Sequence, residues 1–152
     1  MWQNGILTVD NPKGLFNAVF FLNGKFFRLR GGQEHRSLRI SQLSRHTDPL
    51  RYEYTENAAT DQVGRQQNRL RVNSKAVKLL ADPEAGTKCH VYVLDLYLSK
   101  LPPQAFTDDN FYVKPVSVLP EDRKLPWFLS VPVGINSLAK IVKDLSRDDA
   151  AL

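Results

Sequence analysis

Four arginines bracket a pair of glycines in the run Phe26-Phe27-Arg28-Leu29-Arg30-Gly31-Gly32-Gln33-Glu34-His35-Arg36-Ser37-Leu38-Arg39. A guanidinium is a planar, permanently charged fork that grips two oxygens at once, so arginines on a rigid turn suit a phosphodiester. Glycine tolerates positive φ, and Gly31 and Gly32 are expected to use it, reversing the chain and leaving Arg30 beside a helix start. A merely solvated turn is the bland alternative for the same residues.

Other chemistry is sparse. His35, His46 and His90 fall in three different elements, with no carboxylate or thiol at ligand spacing, so no metal site is expected. Cys89, the single cysteine, excludes an internal disulfide and sits on an apolar helical stretch, where it reads as core rather than nucleophile. Gly31-Gly32 lacks the lysine and spacing of a phosphate-cradling loop, and Asp108-Asp109 and Asp148-Asp149 read as turn residues rather than acid–base pairs. No cofactor and no small-molecule substrate is expected.

The elements that must position these residues are legible in the apolar spacing. Asp10-Asn11-Pro12, a side-chain cap followed by proline, starts a helix over about 12–27, with Leu15, Val19, Leu22 and Phe26 on a stripe that Phe16 and Phe20 widen. Gln33 to Leu38 suits a short helical piece. Strands are expected at Leu38–Leu43 and Leu50–Thr55, joined by the turn residues Arg45 to Pro49. The alternating run Arg69-Leu70-Arg71-Val72 supplies a third, which places the sheet within about 38–73. Tyr52 and Tyr54 should share one strand face, and Arg51 and Glu53 the other. A second helix, opened by Asp82-Pro83-Glu84, spans about 88–100 with Val91, Leu94, Tyr97, Leu98 and Leu101 buried, and Pro102-Pro103 ends it. Short apolar pieces follow at Phe111–Val113 and Trp127–Val133, then a last helix at about 136–146 carrying Leu138, Ile141, Val142 and Leu145. The fold class is α+β in one domain.

The chain has 152 residues, 42% of them hydrophobic, which is enough for one core. Its longest apolar patches are too short to span a membrane, and no signal peptide is evident, so a soluble intracellular protein is expected. The formal net charge of +5 is unevenly spread: Phe21 to Leu80 carries +7 and the remainder −2. Such a basic stretch suits a polyanion or simply keeps the surface solvated.

The stretch Phe20 to Leu38 resembles the segment of tyrosine recombinases that carries their first catalytic arginine. It is particularly similar to the Crypton-transposon-derived group at the C-termini of animal zinc-finger MYM-type and glutamine-rich proteins. Tyr54–Asn57, Leu96–Lys100 and Pro126–Leu138 follow in the family's order, so the resemblance covers nearly the whole chain. It implies a mainly helical recombinase-like catalytic core with a small three-stranded antiparallel sheet. It also implies a mechanism in which arginines clamp a scissile phosphate, a hairpin lysine protonates the leaving oxygen and a tyrosine attacks.

Arg30 matches the first arginine, while Glu34 and His35 match the residues that follow and support the turn. The lysine position falls on Thr60, which cannot act as an ammonium acid, and Lys75 and Lys78 are out of register. The family's His-x-x-Arg motif and nucleophilic tyrosine would follow the last helix, beyond this sequence. The resemblance therefore implies a C-terminally truncated, catalytically silent domain in which Arg30 is a vestigial clamp. Arg28, Arg36, Arg39, Arg69 and Arg71 are its candidate DNA-backbone contacts, expected on one surface. Nuclear localisation and nuclear protein partners are implied with it. A protein-interaction module without nucleic-acid binding, or a fragment of an active recombinase, are the alternatives. The truncation leads one to expect an exposed apolar patch around Leu138, Ile141 and Leu145.

Overall fold

A computed structural model describes residues 2–56, 76–122 and 124–151, the side chains of 146–151 excepted. Helix α1, Pro12–Phe26, starts where expected: Asn11 accepts a hydrogen bond from the Gly14 N–H at 2.8 Å, and proline occupies the first turn. Its buried face takes in Leu15, Phe16, Ala18, Val19, Phe20, Leu22 and Asn23, whereas Phe26, expected on the stripe, stands exposed at the helix end. Helix α2 is the short piece Gly32–Arg36.

A 3₁₀ turn, Ile40–Gln42, then leads into a three-stranded antiparallel sheet of β1 (Leu43–Thr47), β2 (Leu50–Thr55) and β3 (Ala76–Leu80) in the order β1-β2-β3. The first strand thus lies later than the expected 38–43, and the hairpin turn shrinks to Asp48-Pro49. Polar Arg45 and His46 are acceptable in β1 because it is an edge strand, largely exposed, paired only to β2. The third strand is Ala76–Leu80, so the sheet extends past the expected limit; Arg69–Val72 lies outside the described residues. Tyr52 and Tyr54 share the buried face of β2, and on the other face Arg51 meets Glu53 at 2.8 Å.

Asp82-Pro83-Glu84 opens a 3₁₀ stretch, Pro83–Lys88, and not the helix itself. Gly86 at φ 60° breaks it, and α3 begins separately at His90 and runs to Ser99. Cys89 is buried at the cap of α3, its Sγ accepting from the Asp82 N–H at 3.2 Å. Pro102-Pro103 ends α3 but also starts an unforeseen helix, α4 (Pro103–Asp108). Asp109 leaves it in a left-handed conformation and accepts from both the N–H and the hydroxyl of Ser41. The two short apolar pieces pair as a second sheet, β4 (Val113–Pro115) with β5 (Phe128–Pro132).

The last helix, α5, runs Ile135–Ala151 and packs across α2. The contact is backbone to backbone: a Cβ on Gly32 would lie 2.7 Å from the Ile135 carbonyl and 2.9 Å from the Ala139 nitrogen. This covers part of the apolar face that truncation was expected to expose. Leu138 and Leu145 are buried, and Ile141 and Val142 are half-buried. Among the described residues no helix is long and apolar enough to cross a membrane.

The two glycines of the turn should therefore respond differently to a methyl group. Gly32→Ala should cost about 1–3 kcal/mol through overpacking against α5. Gly31→Ala should be nearly neutral, because a Cβ there would meet nothing within 4 Å and its φ of −138° suits any residue. Urea denaturation of the two variants checks this.

Candidate functional site

Neither Gly31 nor Gly32 takes positive φ. The left-handed residue of the turn is Arg28, at φ 59°. A non-glycine residue there carries strain of about 1–3 kcal/mol that its surroundings must hold in place. Gly31 is instead the extended cap of α2, and Gly32 serves the close approach to α5.

What holds the turn is the peptide unit between Leu29 and Arg30. The Arg30 N–H donates to Glu34 Oε2 at 2.8 Å. The carbonyl of the same peptide, on Leu29, accepts from the ring of His35. A Cβ on Gly24 would lie 3.4 Å from His35 Nε2 and 3.5 Å from the Leu29 oxygen, so the two atoms share one small space. Two successive residues of α2 thus grip both polar groups of one peptide plane, and Arg30 projects from it, exposed.

His35 is itself fixed from behind. It stacks on Phe20 at 3.8 Å between ring centroids, and its Nδ1 lies 2.9 Å from the Tyr112 hydroxyl. A carbonyl can only accept, so Nε2 carries the proton and Nδ1 must accept from Tyr112. The Tyr112 oxygen then accepts from Asn23 Nδ2 at 3.0 Å, and Asn23 Oδ1 from His90 Nε2 at 2.7 Å. One directed chain of donors, His90 to Asn23 to Tyr112 to His35 to Leu29, crosses the core from α3 to the arginine turn. His90 Nδ1 ends it with no hydrogen-bond partner. Burial lowers the pKa of His35 to about 4 and of His90 to about 3, and pushes the Tyr112 phenol well up.

Arg28 and Arg30 line one depression of about 470 Å³ with Gln33, Glu34, Tyr54 and Glu56. Burial, with help from Glu56 and Glu34, pushes the Tyr54 phenol up to about 12. The structure thus brings Arg28, Arg30, Glu34 and His35 together. Arg36, half-buried at the end of α2, and exposed Arg39, at the mouth of the 3₁₀ turn, stand farther along the chain and do not line this depression. Arg69, Arg71 and Thr60 lie outside the described residues. Two other arginines of the basic segment are engaged: Arg45 makes a two-pronged contact with Asp95 at 2.8 and 3.1 Å, and Arg51 meets Glu53. Asp95 also accepts from the Tyr52 hydroxyl at 2.6 Å, tying sheet to α3.

Sequence reasoning missed Asn23, His90 and Tyr112. The available signal was polarity in the wrong place, since Asn23 interrupts an apolar helix face and His90 begins another. Among the described residues no group of three or more His, Cys, Asp or Glu is arranged to hold a metal ion.

The chain belongs to the family described as "Domain of unknown function (DUF3504)", matched over residues 1–147. Two relatives fall on either side of a quarter identity. Zinc finger MYM-type protein 2 of Mus musculus is 26% identical over 169 residues, covering 98% of this chain and 12% of that protein. Transcriptional regulator QRICH1 of Homo sapiens is 22% identical over 152 residues, covering 93% of this chain and 19% of the regulator. The chain therefore spans only a small part of the length of the curated relatives it matches. No solved structure matches it.

The buried histidines make stability depend on pH with a defined sign. Both are held neutral in the fold, whereas the unfolded chain takes up protons below about pH 6.5. Their contribution is complete above that pH and is lost as pH falls toward about 4 for His35 and about 3 for His90. The loss by pH 4 should be on the order of 3 kcal/mol for each histidine. Thermal melts should show this acid slope in the wild type and a shallower one in His35→Gln.

Proposed function

We propose that this chain is a non-catalytic, recombinase-derived module that grips nucleic-acid backbone through Arg28 and Arg30 and serves in transcription-related nuclear assemblies. The observation that carries the reading is the doubly gripped Leu29–Arg30 peptide, which presents Arg30 on a fixed base. Glu34 spends an oxygen on the backbone N–H, which leaves the guanidinium to face solvent. An arginine so held loses little freedom when a phosphate arrives, which is what a positioning contact requires. The transcription-related part rests on the names of the relatives, a MYM-type zinc finger protein and a transcriptional regulator.

Lack of catalysis is supported by the state of the phenols. Four of the five tyrosines, Tyr52, Tyr54, Tyr97 and Tyr112, are buried with their pKa values raised, so their phenolates are strongly disfavoured as nucleophiles, and the exposed fifth, Tyr92 on α3, does not line the arginine depression. Thr60 at the lysine position would supply no ammonium acid, and catalytic groups that act as a unit lose nearly all their effect when members are missing.

Fluorescence anisotropy with a short labelled duplex tests the binding. Affinity should be sequence-tolerant and fall steeply with salt, with a log–log slope of about −0.9 per phosphate contacted. Arg30→Ala should lower affinity evenly across sequences and reduce that slope by about one. Salt-independent affinity, or variants at Arg28 and Arg30 that bind as well as wild type, would sink the proposal. Separately, incubation with a nicked suicide substrate should give no covalent protein–DNA band on a denaturing gel. A band abolished by changing one tyrosine would mean an active nucleophile.

A further inference from the structure

Arg30 stands between two depressions of opposite character. On the side away from Arg28 lies an open groove of about 400 Å³, between the second half of α1 and α5. Phe20 and His35 form its floor, Phe21, Val142 and Leu145 its walls, and Lys25 and Arg30 its exposed cationic rim. Among the described residues that line it there is no carboxylate, whereas Glu34 and Glu56 sit beside the arginines in the other depression. The floor is rigid, because Phe20 and His35 are stacked and His35 is hydrogen-bonded at both nitrogens.

The lining sets two demands on an occupant. A wholly apolar one would desolvate an ammonium and a guanidinium without bringing any anion of its own to meet them. A bare phosphate backbone would satisfy the rim and leave Phe21 and Val142 unfilled. A large apolar side chain flanked by carboxylates meets both demands. An open groove between two helices, rather than an enclosed cavity, admits a segment of polypeptide.

We infer that the α1–α5 groove is a docking site for a short acidic peptide of a protein partner, with its apolar side chain between Phe21 and Val142 and its carboxylates on Lys25 and Arg30. This stands independently of the phosphate reading, since only Arg30 is shared. Where both hold, peptide and nucleic acid compete for that one guanidinium.

The test uses a fluorescein-labelled peptide, Glu-Asp-Phe-Asp-Leu-Glu, and its amide counterpart with Gln and Asn for the acids, read by anisotropy. The acidic peptide should bind at least about tenfold more tightly than the amide one, the equivalent of one good contact. Val142→Asp and, as a surface variant that leaves the core alone, Lys25→Glu should each weaken it by about as much, while Arg28→Ala should not. Circular dichroism confirms that each variant is folded. Equal binding of the two peptides, or indifference to Lys25→Glu, overturns the inference. So does an oligonucleotide, or decanoate, whose own direct binding falls with Val142→Asp as far as the peptide's does, for the groove would then be a nucleic-acid or fatty-anion site. Loss of duplex binding in Arg28→Ala with peptide binding intact separates the two proposals in either direction.

Discussion

A single peptide plane, Leu29–Arg30, is the constraint around which the described structure is arranged. Left to itself, a turn with Arg28 in the left-handed region would relax. It is held because Glu34 takes the N–H and His35 reaches the carbonyl, and both residues are aimed by the first turns of α2. Helix α2 is only five residues long and could not stand alone. It is held by α5 pressing on Gly32 and by Phe20 stacked on His35.

The buried chain of donors explains why neutral histidines suit this core. A charged imidazole would donate from both nitrogens, and Tyr112 would then have to accept twice and release its own proton elsewhere. In the neutral form every bond runs one way, and only His90 Nδ1 is left unpaired. A polar network connected at every atom but that one selects one arrangement of the surrounding aromatics, because half-made alternatives leave more buried groups unsatisfied.

Features that depend on local spacing are legible in the sequence. The capped start of α1 at Asp10-Asn11-Pro12, its stripe as far as Leu22, the two faces of β2 and the core of α3 follow from periodicity and capping alone. The turn misleads for a reason of the same kind. Glycine pairs advertise positive φ, but what Gly32 provides is the absence of a side chain toward a helix more than a hundred residues later, and nothing local signals that. The first strand begins later than its pattern suggests because an exposed edge strand has polar residues that read as turn. The hydrogen-bonded chain is hidden because its members come from distant segments, and each alone resembles a stray polar residue.

The docking of α5 on α2 has a consequence for how the chain comes into being. The contact joins Gly32 to Ala139, so it is of high sequence separation and its closure is entropically demanding. During synthesis α1 and the sheet can form while α5 is still within the ribosome, but the support for the arginine turn cannot. The nascent chain therefore emerges with its basic turn unsupported and with Leu138's future partners uncovered. The surface that holds Arg30 in place matures only after α5 has emerged.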